Sequence, residues 1–215
     1  MNGNDGDPAF SRRSERRVHV DDGRADRIGV SALVPQAAAL WQQGRHEDAA
    51  TLATYILSSA PREHSAVHLL GLIARQNGET ARAIDFFRQA IAIDDQIAVY
   101  HGNLGNAYFE SGRLGEAAGC FRQVLALEPG SAQAHFGLGL ALMAQKVYDA
   151  AVDELEQAIK ARPDHANAHL NLGIALTELG RLDKAVAHCR RAVVLDSGYA
   201  GNRPDRYLSF VLFFI

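Results

Sequence analysis

Residues 98–131 read AVYHGNLGNAYFESGRLGEAAGCFRQVLALEPGS. From Ala98 to Glu110, His101, Leu104, Gly105 and Tyr108 recur at spacings of three and four, the pattern of an amphipathic helix. Gly112 breaks that helix, and Arg113-Leu114-Gly115-Glu116 opens a second, whose apolar stripe is Ala117, Phe121 and Val124. Pro129 stops it, because proline lacks an N–H and its ring clashes with the preceding turn. The small residues Gly105 and Ala117 are expected where the two backbones cross. Overpacking such a crossing costs about 1–3 kcal/mol. Phe121 is expected to fill the space between units.

The stretch recurs along the chain. Gly44, Gly78, Gly112 and Gly180 fall on a period of 34, with Lys146 in the one slot that lacks glycine. Ala49, Ala83, Ala117, Ala151 and Ala185 keep the same period. So do Gly71, Gly105, Gly139 and Gly173, each preceded by leucine at 70, 104, 138 and 172, with Ala37 one period earlier. Pro61, Pro129 and Pro163 close three units. The period predicts five units, 30–63, 64–97, 98–131, 132–165 and 166–199. A helix pair cannot bury its apolar face alone, so a repeat of this length means stacking. The expected fold is all-α, a solenoid of helix–turn–helix units.

These residues resemble the signature of the tetratricopeptide repeat (TPR) family, which runs Leu-Gly, Tyr, Ala, Phe, Ala, Pro over 34 residues. The third unit matches through Leu104, Gly105, Tyr108, Ala117, Phe121 and Pro129, and the fourth through Leu138, Gly139, Leu142, Ala151, Leu155, Ala158 and Pro163. The fifth carries Leu172, Gly173, Leu176, Ala185 and Ala192, and the second Leu70, Gly71, Ala83, Phe87 and Ala90. The first is degenerate, with Gln36 for Leu and Ala53 for Phe, as expected of a capping unit. The resemblance implies a right-handed superhelical array whose first helices line a concave face. It also implies which slots point inward: Val34 and Trp41; His68, Leu72 and Arg75; Asn103, Asn106 and Phe109; Phe136, Leu140 and Met143; Leu170, Asn171, Ile174 and Thr177. That surface is apolar and aromatic with asparagine inserted and little charge. It suits an extended or helical peptide, so a protein or peptide partner is expected.

Two subtypes of the family bear on function. Units that clamp the acidic C-termini of chaperones combine asparagine with two lysines and an arginine. Asn103 and Asn106 resemble the asparagine part, but the following unit offers Gln133 and Gly137 where basic residues would stand, so no carboxylate clamp is expected. The repeat arm of O-GlcNAc transferases and related bacterial glycosyltransferases carries a ladder of asparagine before Leu-Gly. Asn103-Leu104-Gly105 and Asn171-Leu172-Gly173 are similar to it, while Leu69 and Gly137 interrupt it. A scaffold without catalysis is the leading expectation, and a truncated recognition arm of such a transferase is the alternative.

Composition supports a binding module over an enzyme. The 215 residues carry a net charge of −3, so no global field draws nucleic acid. Apolar residues make up 47% but aromatics only 7%, which favours closely approaching helices. Cys120 and Cys189, two units apart in second helices, are too distant for a disulfide and read as small core hydrophobes. His101, His135 and His169 repeat with the period and read as packing residues. The pairs His64/His68 and His165/His169 share helix faces but have no evident further ligands, so neither a metal nor another cofactor is expected. No GxSxG elbow, Walker A loop or dinucleotide fingerprint occurs.

The ends differ from the array. Residues 1–29 have no apolar segment of signal-peptide length and read as a disordered arm of a cytoplasmic protein. Residues 200–215 end in the apolar run YLSFVLFFI from Tyr207, far shorter than the roughly 20 residues of a membrane span. An apolar run of this kind needs cover. Three covers are expected: the preceding helices, a continuation of the chain, or a tail that dips into a membrane or self-associates to seal a dimer.

Overall fold

The computed structural model describes residues 29–196. The expectations for residues 1–28 and for the apolar run lie outside the described residues. Ten α-helices follow a 3₁₀ turn at Val30–Leu33, and no strand occurs among the described residues. The first helix of each pair is α1 (Val34–Gln42), α3 (His64–Gln76), α5 (Ala98–Glu110), α7 (Ala132–Ala144) or α9 (Ala166–Glu178). The second is α2 (His46–Ser59), α4 (Thr80–Ile93), α6 (Leu114–Leu127), α8 (Tyr148–Ala161) or α10 (Leu182–Leu195). Each helix packs on the next, and the first helices also touch one another from pair to pair. An inner layer of first helices and an outer layer of second helices result, an α-solenoid. The first pair departs from the period at its start. There the 3₁₀ turn and Pro35, in the first turn of α1, stand where later units are already α-helical.

Each pair is joined by a turn that ends the first helix in a left-handed residue. Gly44, Gly78, Gly112 and Gly180 have φ of 70–78°, and Lys146 holds the same conformation at 61°. The residue after each donates its N–H five residues back, as Arg113 does to the Tyr108 carbonyl at 2.9 Å and Val147 to the Leu142 carbonyl at 2.9 Å. This is the Schellman closure, which satisfies a helix carbonyl that would otherwise be orphaned. Lysine in that slot keeps the closure but carries the Cβ strain of the left-handed region.

Between the layers, side-chain sizes are reciprocal. A Cβ added at Gly71 would stand 2.5 Å from the Phe87 ring, and one at Gly139 2.8 Å from Leu155. At Gly173 it would collide with the Cys189 sulfur and lie 3.2 Å from the Ala185 carbonyl. In the first unit the second-helix residue is Ala53, and its first-helix counterpart is accordingly Ala37; both are fully buried. At Gly105 the crossing is closed mainly by larger groups of the second helix, with Ala117 fully buried nearby in sequence. The nearest groups to a Cβ added there are the Phe121 ring at 3.0 Å and the Cys120 Cβ at 3.2 Å. Phe121 also reaches the next unit, where a Cβ at Gly137 would stand 2.7 Å from the ring. The ring therefore wedges between α5 and α7, as expected for a group filling the space between units.

The histidines that repeat every 34 residues tie each first helix to the loop before it. Nε2 of His101, His135 and His169 donates to the carbonyls of Asp95, Pro129 and Pro163 at 2.9, 3.2 and 3.2 Å. Their other ring nitrogens meet the second helix of the same unit where it offers a partner, Glu154 for His135 at 2.7 Å and His188 for His169 at 3.0 Å. Cys120 and Cys189 are buried free thiols, and desolvation pushes the Cys120 thiol up to about 11.

Candidate functional site

The inward slots lie on the inner layer. Trp41 is on α1; His68, Leu72 and Arg75 are on α3; Asn103, Asn106 and Phe109 are on α5. Phe136, Leu140 and Met143 are on α7, and Leu170, Asn171 and Ile174 are on α9. All thirteen are partly exposed, while Leu69, Leu104, Leu138, Ala141 and Leu172 between them are buried. Helical periodicity explains the split, since one stripe of each first helix meets its second helix and the adjacent stripe faces away from it.

Several of these groups are already engaged within the protein. His68 packs on the Tyr100 ring at 4.4 Å between centroids and on Phe87 at 5.5 Å, and its Nε2 accepts from the Asn103 amide at 2.8 Å. Desolvation, with Arg75 and His64 nearby, holds the His68 imidazole down at about 4, so it is neutral at pH 7 and can accept that bond. His64 bonds the Tyr100 hydroxyl through Nδ1 at 2.7 Å. The two nitrogens that suggested a metal pair thus face Tyr100 and Asn103. Burial also pushes the Tyr100 phenol up, which keeps it a donor. At the other helix-sharing pair, His165 Nδ1 accepts from the Ala168 N–H at 3.3 Å and its ring lies tilted against Phe136 at 4.6 Å between centroids.

The asparagines differ from one another. Asn171 donates to the Asn167 carbonyl one turn back at 2.8 Å, and Asn103 is shared with His68. Asn106 makes no side-chain bond within the described residues and borders a cavity. The rung missing at Gly137 has a cause, because the Phe121 ring occupies the space a side chain there would need. Arg75 faces Glu110 of the next first helix at 3.8 Å. Trp41, Leu72, Phe109, Phe136 and Met143 rest against the core clusters beneath them.

The cavity lies between α5 and α7 and measures about 260 Å³. Its floor is Gly102, Phe121 and Val124, with Ala98 and Ala134 beside them; Asn103, Asn106, Ser131, Gln133 and Glu128 stand around it, together with Val99, which is 56% exposed. Sequence reading passed over Gly102 because a glycine suggests no contact. The signal lies across the period: one unit either way, the same slot holds His68 and Phe136, and further out Val34 and Leu170. Only here does the slot lack a side chain, and that leaves the cavity open.

With the repeat geometry in hand, comparison with known proteins decides the family. A family model described as tetratricopeptide repeat matches residues 34–96, 103–154 and 147–200, well over half of the chain. The chain belongs to the tetratricopeptide-repeat family. Solved structures share the TPR fold. A crystal structure of MamA is 22% identical with a TM-score of 0.70, over 76% of this chain and 96% of that one. MamA from Desulfovibrio magneticus RS-1 is 16% identical with a TM-score of 0.73, over 82% and 99%. YrrB, described as a TPR protein with an unusual peptide-binding site, is 17% identical with a TM-score of 0.73, over 90% and 97%. No curated protein matches the chain. These likenesses establish the repeat and lend no support to the transferase-arm subtype, whose asparagine ladder is broken here by Gly137 and by the buried Leu69. No helix among the described residues is long and apolar enough to cross a membrane.

Proposed function

We propose that this TPR protein is a scaffold without chemistry of its own, holding a segment of a partner protein or peptide against its first-helix face. The working division is an N-terminal arm at 1–29, the array at 30–199 and an apolar tail at 200–215, with the groove on the array. The observation that carries the reading is the cavity beside Asn106, an apolar floor ringed by amide side chains on the face the repeat leaves open. Amides can bond a peptide backbone while the floor takes a side chain. YrrB, which shares the fold, is described as having a peptide-binding site. An acidic C-terminus is a poor ligand for this face: Arg75 already faces Glu110, and the charged residue at the cavity is Glu128.

The test is capture of a partner by the full chain and by Asn106→Ala and Phe109→Ala variants. Each variant is expected to weaken capture about tenfold, the effect of losing a central contact of about 1.4 kcal/mol. Circular dichroism should remain helical, and Arg88→Ala on the outer layer should change nothing. Capture that survives both inner changes, or that Arg88→Ala abolishes, refutes the groove.

A further inference from the structure

Every other unit fills the Gly102 slot with Val34, His68, Phe136 or Leu170. At Gly102 an added Cβ would meet only Val124, at an ordinary 3.8 Å. The vacancy thus has the shape of one missing side chain, with an apolar floor, and Val99 stands exposed at its edge. The surrounding polar groups are amides and a hydroxyl, apart from the single carboxylate of Glu128. No hydrogen bond or ion pair engages that carboxylate among the described residues.

We propose that this socket is the specificity site of the groove: it takes one aliphatic or aromatic side chain of an extended partner segment whose neighbouring residue is basic and pairs with Glu128. The assignment rests on the groove reading and adds the chemistry of the ligand. A side chain of leucine or phenylalanine size supplies what the repeat supplies elsewhere, and its own apolar surface leaves water against the Phe121 and Val124 floor. Asn106 and Gln133 then flank the ligand backbone with amide donors and acceptors. Glu128 sets the sign of the neighbour, because a carboxylate beside it would be repelled and an ammonium or guanidinium attracted.

The probe is a set of N-acetylated, C-amidated peptides about ten residues long, enough to span about 33 Å of groove when extended. One central position is varied among Ala, Leu, Phe and Asp, and the next among Lys, Ala and Glu. Binding to the full chain is read by fluorescence anisotropy. Peptides with Leu or Phe followed by Lys should bind best, about tenfold above the Ala-Glu member. Gly102→Leu should fill the socket, remove that preference and leave the melting temperature no lower, as Leu170 does in its own unit. Glu128→Lys should reverse the choice from Lys to Glu at the second position.

Peptides that bind and are weakened by Asn106→Ala yet ignore Gly102→Leu would overturn the socket and leave the groove standing. No binding by any member would overturn both. Sedimentation of the chain alone covers the other occupant. A dimer that Gly102→Leu dissociates would make a second copy the ligand and overturn the peptide assignment.

Discussion

Gly105 lies three positions after Gly102 on α5, yet a side chain added at each meets different surroundings. Gly105 faces the outer layer, with Phe121 and Cys120 of α6 within 3.0–3.2 Å of where a Cβ would sit. Gly102 faces the cavity, where the nearest neighbour is Val124 at 3.8 Å. One glycine is needed for two helices to touch, and the other leaves room that none of the described residues fills. The same residue type on one helix therefore marks packing on one face and, in the proposed groove, recognition on the other.

The largest effect should come from Gly105→Leu, which forces the Phe121 wedge out of its place and is expected to cost about 3 kcal/mol in urea unfolding. Gly102→Leu, the control on the same helix, should unfold at the same or a higher urea concentration. Equal losses at both sites would erase the contrast between the two faces.

The slot one unit before Gly102 gives the next effect. His68 fills it, and burial holds its imidazole near 4 against an ordinary 6.5. The unfolded chain therefore takes up a proton at a higher pH than the folded one. Stability is full above about pH 6.5 and falls as pH drops toward 4, by up to about 3 kcal/mol if the whole shift is expressed. His68→Phe keeps the packing on Tyr100 and should flatten this part of the pH–stability profile. A profile unchanged by His68→Phe would mean that the slot is not filled as described.

The smallest effect concerns the other break in the period. Lys146 holds φ at 61° where the remaining turns use glycine. Lys146→Gly relieves the left-handed strain but loosens the unfolded chain, so a net gain of about 0.5–1 kcal/mol is expected in thermal unfolding. A loss would show that the lysine side chain contributes more than its strain costs.

The period of 34 was legible in the sequence because glycine, alanine and leucine recur where helices touch, and the structure starts its second helices at 46, 80, 114, 148 and 182. Two kinds of feature were not legible. Which asparagines are free depends on partners in other units or one turn away: His68 is 35 residues from Asn103, and Asn171 turns back on its own helix. The socket depends on an absent side chain, visible only when Gly102 is compared with its equivalents along the period.

The most direct measurement is a crystal structure of the full chain with the best-binding Leu-Lys peptide of the set. The peptide backbone is expected across α5 and α7, with its leucine over Gly102 and Phe121 and its lysine amine within ion-pair distance of Glu128. A peptide seated on the second-helix layer, or on the first-helix layer with the Gly102 cavity left empty, would contradict this placement.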